Sequence, residues 1–414
     1  MAATAAPAAI GRSWVQDAPL YLTAAAAVTT EISIAAFQIL MGLALVSIAS
    51  TRGKLRWPPV ATPLAAWMAW TLVSFAASGH FRAGLPQIKK FYVYLMLFLV
   101  VSAVRGLRDV RWLATGWAGA AALSAAWGLE QFVRKYHAAR VAHQDFYIAY
   151  VGSRITGFMD HWMTFSGQMM MALLLILALV LFSRDSRGKT WLIAAGLLAA
   201  AALLAAETRS MWGGAATGAI YLLWNRRRRL VGALPVILAI VLLVNPFDVR
   251  ERIISIVRPH GDVDSNEHRA LLRRVGWEMI KAHPLLGLGP EQVGPNFERY
   301  VPADVPKPLP TGYYGHLHNI YFHYAAERGL PALAALLWFF SQALYDFLRT
   351  LRNLPKDSEA RWFLHGAIAA IMAFMLGGYL EVNWGDSEVL GFFLAILGAG
   401  YVAVRSASAS LAES

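Results

Sequence analysis

Apolar runs long enough to cross a bilayer, each needing about 20 residues, recur along the chain with short polar breaks. They predict twelve helices, at residues 18–30, 32–50, 60–78, 86–104, 111–130, 162–183, 190–206, 209–224, 230–246, 329–350, 361–381 and 387–405. The first pair needs an arbiter, because residues 20–50 form one apolar run of 31, about 46 Å as a single helix, broken only by Thr29-Thr30-Glu31. Loop charge supplies it. Two helices with a cytoplasmic N-terminus leave TRGKLRW, RGLRDVR, SRDSRGK, NRRRR and RTLRNLPKDSEAR on the cytoplasmic side, as positive-inside sorting demands. A single helix would turn each of them outward. Both termini are therefore expected in the cytoplasm.

The longer polar segments, 131–161 and 247–328, then face the exoplasmic side. The expected organisation is nine transmembrane helices over 1–246, a loop domain with amphipathic helices over 247–328, and three more transmembrane helices over 329–414. Within the loop, Asp264-Ser265-Asn266-Glu267 reads as a capping box opening a helix to about Ala282, stopped by His283-Pro284. Leu271, Leu272, Val275 and Met279 recur on it at helical spacing. The Gly- and Pro-rich GLGPEQVGPNFERYVPADVPKPLPTGYYG that follows cannot be regular helix. It leads to His316-Leu317-His318-Asn319, where His318 is expected to open a helix running on to Phe347, 30 residues or about 45 Å.

Composition agrees with a membrane chain: 57% of residues are hydrophobic and 15% charged, against a globular norm of about 25% charged. Fifteen Trp and fifteen Tyr suit interfacial belts and thirty-three Gly suit close helix packing. The N-terminal twenty residues lack the basic flank of a cleavable signal, so the first spans are expected to direct insertion. With no cysteine there is no disulfide, thiolate nucleophile or Cys-ligated metal. The net charge of +12 suits membrane lipid head groups or phosphate-bearing substrates, with no nucleic acid partner expected.

His318 is the candidate base, since a neutral imidazole takes a proton near physiological pH; an interfacial, backbone-bonded histidine is the bland alternative. His316, Asn319, Glu327 and Arg273 are secondary candidates. Glu327, nine residues on, falls on the far side of the helix from His318. A metal at His316-x-His318 lacks a third ligand, and no metal or cofactor is expected. Arg209 sits at a helix N-terminus, where a cation opposes the dipole unless an anion joins it; snorkelling explains it equally. Arg154 and Arg269 could fork onto phosphate oxygens or face solvent. Lys89 and Lys90, at the head of segment 86–104, suit a lipid phosphate or a pyrophosphate. Asp262-Val263-Asp264 resembles a divalent-ion pair but precedes the capping box, which is its simpler role. Glu381 and Asp386 bracket the last exoplasmic turn as membrane-edge carboxylates.

Several stretches together carry a family resemblance: Arg269 followed by WEMIKAHPLLGLGP, the Pro-rich loop, HLHNIYFHYAAERGLPAL, Arg209-Ser210, and RITGFMDHWMTFSG with Arg154. His318-Asn319, nine residues, then Gly329 completes the pattern. The chain resembles the bacterial O-antigen ligases and their relatives, the O-antigen polymerases and protein O-oligosaccharyltransferases. Leu333 stands where the ligase pattern has Gly, Thr or Tyr, which bears on ligase against polymerase.

The resemblance implies an all-α, GT-C-like glycosyltransferase of the Gram-negative inner membrane with a periplasmic active site. It would move a preassembled glycan from undecaprenyl pyrophosphate to the lipid A core without metal or nucleotide. His318 would be its catalytic base, and Arg209, Arg269, Arg154, Lys89 and Lys90 its pyrophosphate ligands. Alternatives are a polymerase lengthening the carrier-linked glycan and, from another class, a transporter or flippase for a lipid-linked anion.

Overall fold

A computed structural model describes residues 14–185, 188–260 and 266–412. Asp262-Val263-Asp264 and the first half of the expected capping box lie outside the described residues. No strand occurs among those described.

Each of the twelve apolar runs is helical. In chain order the helices are α1 (Trp14–Thr29), α2 (Ile34–Ser50), α3 (Ala61–Ser78), α4 (Phe81–Lys89), α5 (Leu95–Ala103), α6 (Leu107–Val141), α7 (Phe146–Val151), α8 (Trp162–Phe182) and α9 (Lys189–Ala205). Then follow α10 (Arg209–Arg226), α11 (Ala233–Val244), α12 (Val249–Ile254), α13 (Asn266–Ala282), α14 (Val293–Asn296), α15 (Ile320–Arg328), α16 (Leu330–Asn353), α17 (Ala360–Gly378) and α18 (Ser387–Ala412). By length and apolar composition, five units could cross a membrane: Phe81–Ala103, α8, α16, α17 and Ser387–Ala409. A sixth arises if Arg228–Val244 and Pro246–Ile254, bent by 110°, count as one.

The main core is built on α8, α17 and α18, the most buried of these helices. Helix α10 packs on both α8 and α17. Gly214 allows this, since a Cβ there would lie 2.5 Å from the Met170 sulfur and 2.8 Å from the Ala373 carbonyl oxygen. Small residues at a helix contact let backbones approach, which supplies packing that lipid cannot provide. By contrast α11 buries no residue and ends at Asn245 in the left-handed conformation.

Four boundaries differ from expectation. Helix α6 continues eleven residues past 130 to Val141. The expected 86–104 segment begins earlier, at Phe81, so Lys89 and Lys90 lie within the unit, at the join between α4 and a 3-10 turn over Lys90–Tyr94. His318 does not open a helix: its φ is +45°, and Asn319 is the cap whose side-chain oxygen accepts from the Tyr321 and Phe322 amides at 2.9 and 3.0 Å. Nor does one helix run to Phe347, because α15 stops at Arg328 and α16 starts at Leu330.

Gly329 makes that last break. Its φ of +84° and ψ of 168° are open to glycine and costly for other residues. The segment after α13 folds back against it, so that a Cβ on Gly329 would sit 1.8 Å from the Leu285 carbonyl oxygen. Backbone bonds fix the return: Leu330 N–H to Pro284 at 2.7 Å, Leu288 N–H to Ala326 at 2.9 Å and Gly289 N–H to Glu327 at 2.8 Å. Trp70 Nε1–H donates to the Leu285 and Arg328 carbonyls, and Ser74 to that of Leu286, tying the return to α3. A second core lies alongside, where the apolar face of α13 (Leu271, Leu272, Val275, Met279) meets Val293, Phe297, Leu317 and Ala325.

Gly329→Ala should therefore lower stability by about 2 kcal/mol or more, from strain plus clash. A thermal unfolding midpoint in detergent equal to that of the wild type would contradict this account of the break.

Candidate active site

The turn between α17 and α18 carries Glu381, which is buried. Its Oε1 accepts from Arg269 Nη2 at 2.5 Å and its Oε2 meets His318 Nδ1 at 3.1 Å. Ser210 Oγ, at the start of α10, also donates to Oε1 at 3.4 Å. Three other chain segments thus converge on this carboxylate. Burial alone would push its pKa up, but the charge of Arg269 and the bond to His318 outweigh it and hold Glu381 at about 2.

An ionised Glu381 decides the tautomer of His318. Nδ1 carries the hydrogen it donates, so in the neutral ring Nε2 holds the lone pair. The His318 ring stands 4.2 Å from that of His316 and 5.8 Å from that of His268, centroid to centroid. Burial, with the neighbouring His318 ring as second cause, lowers the pKa of His316 to about 3 and of His268 to about 4. In α15, burial and then Arg328 lower His323 to about 3.

A cavity of about 340 Å³ opens beside this cluster, within the range of small-molecule sites. Its walls include His316, Glu381, His323, Lys90, Asp386 and His161. His318 stands against two of these, His316 and Glu381. Lys90 Nζ reaches the Gly385 carbonyl at 3.0 Å. Asp386 accepts from Thr164 Oγ1 and from the Glu388 and Val389 amides, which starts α18.

The other expected residues occupy distinct places. Arg269 joins the cluster directly, and among the described residues its Nε is buried without a hydrogen-bond partner. Arg209 is one residue from Ser210 and bonds Ser255 Oγ at 3.1 Å and Asn266 Oδ1 at 2.8 Å, bracing α10 against α12 and α13. Arg154 is buried, donates to the Val151 and Glu207 carbonyls at 2.8 and 3.2 Å, and lies 4.7 Å over the Trp162 ring. Asn319 caps α15 and ties it to the Tyr379 carbonyl at 2.8 Å, close to Glu381 in sequence. Glu327 is apart from His318: it accepts from the Glu291 amide at 2.7 Å and from Arg328 Nε at 3.0 Å. Lys89 and Arg273 are exposed and make no bond to the cluster among the described residues.

Sequence reasoning singled out Glu381 only as a membrane-edge carboxylate and gave it no partner. His161, His268 and His323 were not candidates at all. Glu381 is 63 residues from His318 and 112 from Arg269, so no local spacing links them.

Residues 194–337 match the O-antigen ligase family model. Over this stretch the chain is similar to the O-antigen ligase family. The stretch holds Arg209, Arg269 and His318, while Arg154, Lys90 and Glu381 lie outside the match and reach the site through the fold. No curated protein matches the chain closely enough to count as a relative. That similarity supports ligase- or polymerase-type activity of a membrane glycosyltransferase-like kind, and with the apolar helices it supports a multi-pass membrane protein.

The lowered histidines fix how stability depends on pH. Unfolding restores each to about 6.5, so the unfolded chain binds more protons below that value. Their contribution is complete above pH 6.5 and is lost as pH falls towards 4 and 3. Glu381 adds a loss in the same sense, between its ordinary 4.5 and about 2. The thermal midpoint should fall between pH 7 and pH 5, with a shallower fall in His323→Asn. A midpoint flat over that window would show these rings are not held neutral.

Proposed function

We propose that the protein is an O-antigen ligase that transfers a preassembled glycan from undecaprenyl pyrophosphate to a hydroxyl of the lipid A core. The single observation that supports this most is the shared carboxylate: Glu381 holds His318 on one oxygen and Arg269 on the other. A glycosyl pyrophosphate already has a good leaving group. What remains is to activate an alcohol and to stabilise negative charge as the bond to phosphate breaks.

His318 Nε2 accepts the acceptor's hydroxyl proton as that oxygen attacks the anomeric carbon. The bond from that carbon to the phosphate oxygen breaks, its electron pair leaves on undecaprenyl pyrophosphate, and the configuration inverts. Glu381 keeps Nε2 available and stabilises the imidazolium that forms, as an orienting carboxylate does in a Ser-His-Asp triad. Arg269 meets the pyrophosphate with the N–H groups it does not give to Glu381. Arg209 adds a second fork, with Arg154 behind both and Lys90 across the cavity.

The site is taken to be periplasmic, in an inner-membrane, GT-C-like protein of twelve spans with both termini cytoplasmic. The five basic connections support that orientation. Residues 247–328 form the loop domain between nine preceding and three following spans. Two long lipids then enter from the membrane while their glycans project outward, which suits charged groups at helix ends. Leu333 departs from the ligase pattern, and the second reading is a polymerase that joins repeat units on the carrier. Product on lipid A core identifies the ligase, and lengthened carrier-linked glycan the polymerase.

His318→Ala should abolish transfer in purified protein that still folds; glycan attachment at the normal rate by that variant would remove the base. Glu381→Gln should lower kcat roughly 10²- to 10⁴-fold, the range for a lost orienting carboxylate. An unchanged kcat would remove the tautomer argument.

A further inference from the structure

His316 lines the cavity and packs against the ring of His318, and its own tautomer is fixed in the opposite sense. Its Nδ1 accepts the backbone N–H of His318 at 3.4 Å, in the turn that His318 makes at φ +45°. A nitrogen that accepts carries no hydrogen. Burial lowers the ring's pKa to about 3, so at neutral pH the one remaining hydrogen is on Nε2. The ring lines the cavity, and among the described residues its Nε2 has no hydrogen-bond partner. His318 is the mirror case, with its hydrogen on Nδ1 towards Glu381. Two rings 4.2 Å apart and inclined at 70° thus carry between them one donor, on His316, and one acceptor, on His318.

An alcohol oxygen has one hydrogen to give and two lone pairs. We propose that His316 positions the acceptor hydroxyl by donating from Nε2–H to one lone pair, while His318 takes its proton and the second lone pair attacks. This role rests on His318 being the base. It also divides the labour between the histidines: a ring that ionises only near pH 3 is a poor general base at neutrality, yet a good fixed donor. The groups closest about His316 fit a neutral ring, being the rings of His268, His318, His323 and Tyr313, with the Glu381 carboxylate beside them and Lys90, Asp386 and Glu291 on the same cavity wall.

The test compares His316→Gln, whose amide keeps an N–H, with His316→Phe, which has none. Both are assayed with undecaprenyl pyrophosphate-linked glycan as donor and lipid A core extracted from a ligase-deficient strain as acceptor. His316→Phe should lower kcat/KM for the acceptor roughly 10- to 100-fold. His316→Gln should stay within about threefold of wild type. Both should keep the donor KM and the position of the ascending pH limb, which a merely packing role would not separate in this way. Equal loss in both variants, wild-type transfer by His316→Phe, or a change confined to the donor KM would each overturn the assignment. If His316→Phe does not fold, His316→Gln decides alone, since a loss of about 100-fold in a variant that keeps the N–H contradicts a donor role. Transfer surviving in His318→Ala would remove the base and leave the comparison of His316 variants to be read separately.

Discussion

A buried carboxylate is costly unless it is paired and hydrogen-bonded on all sides, and removing one partner of such a pair leaves an uncompensated charge. Glu381 meets that requirement by drawing in Arg269 from α13, His318 from the loop before α15 and Ser210 from α10. The main core and the loop core thereby meet at this pair of oxygens, as they also do where Trp70 and Ser74 hold the return and Arg209 bonds Asn266. The same contacts that keep Glu381 ionised also aim His318, so the proposed chemistry and one joint between the two cores share a single group.

The supports around this joint are mostly backbone. The segment from Pro284 to Gly289 folds onto the end of α15 and is held to α3, so α15 cannot slide without breaking bonds to two other elements. Arg328, buried at that end, lies between the Trp67 and Tyr324 rings at 4.7 and 4.6 Å and pairs with Glu327. Such cation–π contacts gain strength when water is excluded. At the other end Asn319 caps the helix and reaches the Tyr379 carbonyl, two residues before Glu381. Both ends of α15 are therefore set, and His316 and His318 inherit their position from them.

The fold was legible in the sequence where apolar periodicity governs it. All twelve apolar runs became helices, and α13 runs to the expected Ala282 with its expected apolar face buried. Boundaries failed where a tertiary contact overrides the local pattern. Gly329 reads as a tolerable helix residue until Leu285 is brought against it, and α6 runs on past its apolar stretch. The site was half legible. His318, Arg269 and Lys90 are basic residue types in or beside apolar runs and stand out singly. Glu381 did not, because a carboxylate at a turn is ordinary until its partners, 63 and 112 residues away, are known.

The ring nitrogens of His318 test the joint most directly. In ¹⁵N-histidine-labelled protein at pH 8, the account predicts that Nδ1 of His318 bears the hydrogen and that Glu381→Gln changes this assignment. A hydrogen on Nε2 in the wild type, or a spectrum indifferent to the loss of the Glu381 charge, would contradict it.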